Sequence, residues 1–134
     1  MREDHTPAVE RALAAAAVWA TRLQRTSDPL TLALALLEDD DGRPAELLRA
    51  AGITVELVRT RFAVVPPERD AGSLAEVFAL AADIARDTAG ERTIRSEHAF
   101  MAVVQSSPLV RSELEAAGWN PSRWESRMQA EPAI

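Results

Sequence analysis

Ser96-Glu97-His98 is the one stretch of the chain that sets a hydroxyl, a carboxylate and an imidazole side by side. Read as catalysis, the trio fails. Consecutive residues on a helix point about 100° apart, so the three groups cannot converge on one atom. Read as a helix start, it succeeds: Ser96 accepts from backbone amides, Glu97 complements the positive end of the helix dipole, and His98 packs against the first helix of its unit. Glu38-Asp39-Asp40-Asp41-Gly42 invites a calcium reading. An EF-hand loop with its glycine at the sixth position would begin at Leu37, which cannot ligate, and no glutamate closes it. A solvated turn is the expectation there. Trp119 and Trp124 fall where the first half of the chain carries Ile53 and Val58, which assigns both to a core. Trp19, beside Arg22 and Thr26, is the expected partly exposed aromatic, and His5 beside Asp4 is expected in a loose terminus.

Composition narrows the function classes. The 134 residues fit one domain, and 47% hydrophobic content suffices for a packed core. Cysteine is absent, which removes disulfides and thiolate metal sites and fits a cytoplasmic setting. All 15 basic residues are arginine, as codon bias in a GC-rich genome produces. Without lysine there is no standard P-loop, so the chain does not hydrolyse ATP by itself. The net charge of −6 and singly scattered arginines disfavour nucleic acid. No apolar run reaches the roughly 18 residues of a membrane span, and the start lacks the order of a signal peptide.

Helix punctuation organises the rest. Thr6-Pro7 reads as an N-cap with proline at the first helical position, followed by the stripe Val9, Leu13, Ala16, Ala20 and Leu23. Asp28-Pro29 opens a second helix that is apolar nearly all round and therefore central. Pro44 opens a third, stopped at Gly52 by a left-handed cap, and Thr54 caps a fourth that buries Val55, Val58 and Phe62. After the proline-and-charge stretch Val65 to Gly72, the punctuation repeats. Ser73 to Glu76 form a capping box before the stripe Leu74, Val77, Ala81, Ile84 and Thr88. Ser96 caps the next helix, Ser107-Pro108 opens one ending at Gly118, and Asn120-Pro121 opens the last, with Trp124 and Met128 facing inward.

The two halves superimpose. Glu46 to Gly52 matches Ser112 to Gly118 at an offset of 66, and after a one-residue shift Thr6 falls on Ser73 and Leu36-Leu37 on Val103-Val104. One supersecondary unit is used twice. The expected fold is all-α: tandem duplicated four-helix units, about eight helices, related by a pseudo-twofold axis. Repeat one covers 6–63, a linker 64–72, repeat two 73–128 and a tail 129–134, all within a single domain 1–134.

Ile94-Arg95-Ser96-Glu97-His98-Ala99-Phe100-Met101-Ala102-Val103-Val104 resembles the Ile-Gly-Thr-Glu-His-Leu-Leu-Leu-Gly-Leu-Leu segment of the Clp N-terminal repeat, and Leu80 to Arg86 is similar to its Leu-Ala-x-x-x-Ala-Arg pattern. The resemblance implies a duplicated four-helix domain without an active site or cofactor. Such domains stand before ATP-driven unfoldase rings and bind adaptor and substrate proteins. Some members bind phosphoarginine, the motif glutamate forking onto the guanidinium and helix N-termini holding the phosphate. Carried onto this chain, the candidate ligand-binding set is Glu97 with Ser96, His98, Ser73 and Arg95.

The chain departs from the pattern in two places. Pro29-Leu30-Thr31 stands in the first repeat where the family has Thr-Glu-His, which removes that repeat's carboxylate. Arg95 replaces the motif glycine, placing a guanidinium beside Glu97 where a ligand's would go. Unfoldase modules are not part of this sequence, so it is either a domain of a longer protein or a stand-alone relative. The expected function is a non-catalytic interaction module binding adaptors or substrates for a Clp-type unfoldase and protease. The alternative is an accessory protein docking on the peptidase or unfoldase ring without binding substrate.

Overall fold

In the computed structural model, residues 4–39, 41–90 and 93–120 are described. They form an all-helical fold of seven helices: α1 Pro7–Arg22, α2 Pro29–Leu36, α3 Arg43–Ala50, α4 Val55–Ala63, α5 Leu74–Ala89, α6 Ser96–Ser106 and α7 Pro108–Ala116. The eighth helix expected after Asn120-Pro121, with Trp124 and Met128, and the tail 129–134 lie outside the described residues. The duplication is visible in the elements themselves. α1 and α5 are each 16 residues long, and each is followed by the most buried helix of its half.

Local chemistry sets the helix ends. Thr6 Oγ1 accepts from the Val9 amide at 3.4 Å with Pro7 at the first position, and Ser107 Oγ accepts from the Val110 amide at 3.2 Å ahead of Pro108. α3 and α7 stop identically. Gly52 (φ 81°) and Gly118 (φ 105°) take the left-handed conformation, and the next residues, Ile53 and Trp119, return their amides to Leu48 and Leu114 at 2.9 Å. This is the Schellman arrangement, closed by the apolar contact of the following residue with the last turn. Ile53 and Trp119 are both buried. α1 ends the same way, but a non-glycine residue, Gln24 (φ 56°), holds the left-handed position.

The core lies where α2 crosses α6. Every residue of α2 is buried, as are His98 to Val104 of α6, so neither helix has a polar face. Leu30, Leu32, Leu34, Leu37, Phe62 and Phe100 are fully enclosed, each worth about 1.5–3 kcal/mol of burial. Packing between the halves is reciprocal: α3 of the first lies on α6 of the second, and α7 of the second lies on α2 of the first. Arginines seal the carbonyl ends of the central helices. Arg59 of α4 donates to Leu37 O, and Arg111 of α7 donates to Val104 O at 3.2 Å; the two carbonyls are matched by the repeat, whereas the arginines come from different helices of their units.

Two expectations need correction. His5 is no loose terminus: Asp4-His5 (β1) pairs in parallel with Thr93-Ile94 (β2), and the His5 ring lies 4.9 Å from that of Phe78. A two-residue strand carries too little periodicity to announce itself in sequence. Ser73 Oγ accepts from the Ala75 amide at 3.2 Å, one residue short of the expected capping-box partner, and Glu76 stays exposed.

Candidate functional site

The start of α6 is built differently from the sequence expectation. Ser96 is its first helical residue and Arg95, in extended backbone, is the N-cap. Arginine has no acceptor to offer a cap amide, so the bond runs the other way: His98 Nδ1 accepts from the Arg95 N–H at 3.1 Å. An accepting Nδ1 fixes the tautomer, with the ring proton on Nε2. His98 is 5% exposed, and its ring is committed to holding this turn.

Glu97, the second helical residue, projects from this turn with a quarter of its side chain exposed. Its Oε2 lies 3.7 Å from Nε of Arg43, the first residue of α3 in the opposite repeat. Arg43 Nη1 also reaches Glu46 Oε1 at 3.3 Å, so one guanidinium spans two carboxylates. The sequence expectation sets the Arg95 guanidinium beside Glu97; the one that the structure pairs with Glu97 is that of Arg43, from across the repeat boundary. Sequence reasoning missed Arg43 because only the packing of α3 on α6 delivers it.

A groove of about 390 Å³ opens next to this corner. Ala8, Ala12 and Ala15 of α1 floor one side, Glu38 and Asp39 at the end of α2 edge the other, and Ser96 closes one end. Arg11 stands among these alanines and brings a guanidinium to the α1 side of the groove. Trp19, half-buried as expected, donates its Nε1 to Glu38 Oε1 at 2.5 Å, and the Arg22 guanidinium lies 5.5 Å from its ring centre. The acidic turn beyond is self-contained: Gly42 N–H bonds Asp39 O at 3.0 Å and Asp41 N–H bonds Asp39 Oδ1 at 3.1 Å. A side chain at Gly42 would meet Asp39 O at 3.1 Å, tighter than an ordinary contact, so the Asp39 turn would have to give by a few tenths of an ångström.

The structure thus gathers Arg95, Ser96, Glu97 and His98 on one turn, and sets Ser96 at the groove and Glu97 against Arg43. Ser73 sits apart at the start of α5, and no hydrogen bond links it to Glu97. Among the described residues no three His, Asp or Glu side chains come together as metal ligands. No described helix is long and apolar enough to cross a membrane. What the corner can do is bind: a small-residue floor, an acidic edge, and a glutamate and arginine already paired across the repeats.

No family model matches the sequence, and no curated protein matches it either. Solved structures do match, 29 chains in all. One is the Hsp104 N-terminal domain from Candida albicans, with a TM-score of 0.76 over 96% of this chain and 91% of that one, at 14% identity. At that identity the likeness is one of fold, and it covers nearly the whole chain.

Proposed function

We propose that this chain is a non-catalytic protein-interaction module of a Clp-type unfoldase and protease system in the cytoplasm, binding adaptor or substrate proteins at the corner where α1, α3 and α6 meet. The observation that carries the reading is the end-to-end fold likeness to the Hsp104 N-terminal domain. The resemblance of Ile94 to Val104 to the Clp repeat supports it independently, since it rests on sequence. The residues at the corner fit binding: His98 Nδ1 is taken up by the helix cap, and Glu97 faces the Arg43 guanidinium.

Purified chain, mixed separately with a Clp unfoldase ring, its peptidase and a labelled unfolded substrate protein, tests the reading in sedimentation. Binding of the substrate, with or without the ring, is the expected result. Association with ring or peptidase alone would make the chain an accessory docking protein, and association with none of the three would overturn the proposal.

Phosphoarginine is the ligand that the resemblance implies for Glu97 and the helix start at Ser96; Ser73, which the resemblance also names, lies at the start of α5. Arg43 bears directly on this ligand. The Arg43 guanidinium, 3.7 Å from the Glu97 carboxylate, would compete with a ligand's guanidinium for it.

A further inference from the structure

The segment between the repeats, rich in proline and charge, has the composition of a free linker, yet it is held down by one buried side chain. Arg25 follows the left-handed turn at Gln24, and its side chain is 2% exposed. Its Nε donates to Asp28 Oδ2 at 2.9 Å, and Nη2 lies 2.9 Å from the same oxygen in an ion pair. Nη2 also donates to Arg69 O at 2.9 Å, while Nη1 donates to Pro66 O at 3.2 Å and reaches Val65 O at 3.5 Å. The planar guanidinium fork thereby satisfies one carboxylate and a row of carbonyls that no regular element would pair. Asp28 is equally committed: its other oxygen, Oδ1, accepts from the Thr31 amide at 3.0 Å in the cap of α2. Val65 and Ala71 are buried at either side of the stretch, whereas residues 66–70 face solvent.

The geometry points to a latch: Arg25, oriented by Asp28, keeps the 65–69 strap closed on the first repeat, and losing the guanidinium lets the strap open as a unit while the helices remain folded. Apart from Arg25, the strap is held at its first residue, where Val65 is buried and its N–H bonds Phe62 O at 3.3 Å. Its hydrogen bond within the stretch is a single turn, Arg69 N–H to Pro66 O at 3.0 Å, and its exposed prolines cannot donate. Local opening of this kind has its own free energy, smaller than that of global unfolding, and it shows as proteolysis at the freed segment.

Arg69 makes the test direct, because trypsin would cut at the very carbonyl that Arg25 Nη2 holds. The full chain, Arg25→Gln and Val77→Ala are digested at a temperature where all three are folded by circular dichroism, and cleavage after Arg69 is timed by mass spectrometry. Val77, fully buried in α5, supplies a variant weakened globally with the strap intact. Arg25→Gln is expected to be cut after Arg69 about tenfold or more faster than Val77→Ala of comparable melting temperature, as a selective loss of local protection requires. Asp28→Asn, which keeps a cap acceptor but removes the charge, should fall between parent and Arg25→Gln. Equal rates for Arg25→Gln and the matched core variant would overturn the latch, as would parent cleavage at Arg69 as fast as that of a free peptide of the same sequence. Should Arg25→Gln fail to fold, Arg25→Lys, which keeps the charge with fewer donors, takes its place in the same comparison.

Discussion

Thr31 and His98 do the same work in the two repeats with unrelated side chains. Each is the third residue of its central helix, and each reaches back to the N-cap amide: Thr31 Oγ1 accepts from Asp28 N–H at 2.9 Å, and His98 Nδ1 from Arg95 N–H at 3.1 Å. The unit preserves the hydrogen bond through a change of chemistry at both partners. Thr31 adds a bond that His98 cannot form, from its hydroxyl to Asp28 O at 2.9 Å.

Thr31→Val removes both bonds at nearly constant volume and leaves the Asp28 amide buried and unsatisfied. A loss of about 1–3 kcal/mol is expected in urea denaturation. His98→Gln, with an acceptor suited to the third helical position, should cost less than His98→Ala, which loses both the bond and the packed ring. The ordering of the two His98 variants is the measurement that checks the cap.

Gln24 is a non-glycine residue in the left-handed region, where L side chains are strained by about 1–2 kcal/mol. Gln24→Gly should raise stability by about 0.5–1 kcal/mol, the unfolded chain's extra freedom offsetting part of the relief. Gly52→Ala and Gly118→Ala should each lower it by about 1 kcal/mol although open space surrounds both positions. Thermal melts of the three variants check the signs together.

Because α3 packs on α6 and α7 on α2, the halves are expected not to fold alone. A unit of about 60 residues is near the lower limit for a stable core, and each half here lends a helix to the other. Separate peptides 1–66 and 67–134 should show no cooperative melt, and mixing them should restore one. Independent melting of either peptide at the parent's temperature would refute the shared core.

Phosphoarginine should give no measurable heat with the parent protein in titration calorimetry, because Arg43 is beside Glu97. Arg43→Ala should expose the carboxylate and permit binding. Adding Glu97→Gln should then weaken it by about tenfold or more, the loss of a hydrogen bond to a charged group being about 1.5–3 kcal/mol. Leu30→Ala, at the matching place in the first repeat, should change binding little beyond any packing defect. Binding by the parent equal to that of Arg43→Ala would show that Arg43 does not guard the site.

What was legible in the sequence is what is decided within about one helical turn. Proline after a polar residue marked α1, α2 and α7, the glycines after α3 and α7 marked left-handed stops, and the unbroken apolar run of α2 marked the centre. The all-helical fold follows from these local signals and from their recurrence. The start of α6 was misread by one residue because a serine before a glutamate looks like a cap, while an arginine capped from behind by a histidine does not. Arg25 and Arg43 carried no signal at all. Each has one partner three residues on, but the rest lie tens of residues away, and an arginine's role depends on which carbonyls and carboxylates the packing brings within reach of its fork.

The pairing of Asp4-His5 with Thr93-Ile94 joins stretches about ninety residues apart, the kind of contact that comes late in folding. At a synthesis rate of 5–20 residues per second, the beginning of the chain waits roughly 4–18 seconds for its strand partner to be made. Helices α1 to α5 are all synthesised within that interval and α6 and α7 only after it, so this short parallel pair can close on the first repeat before the second has its own central helix.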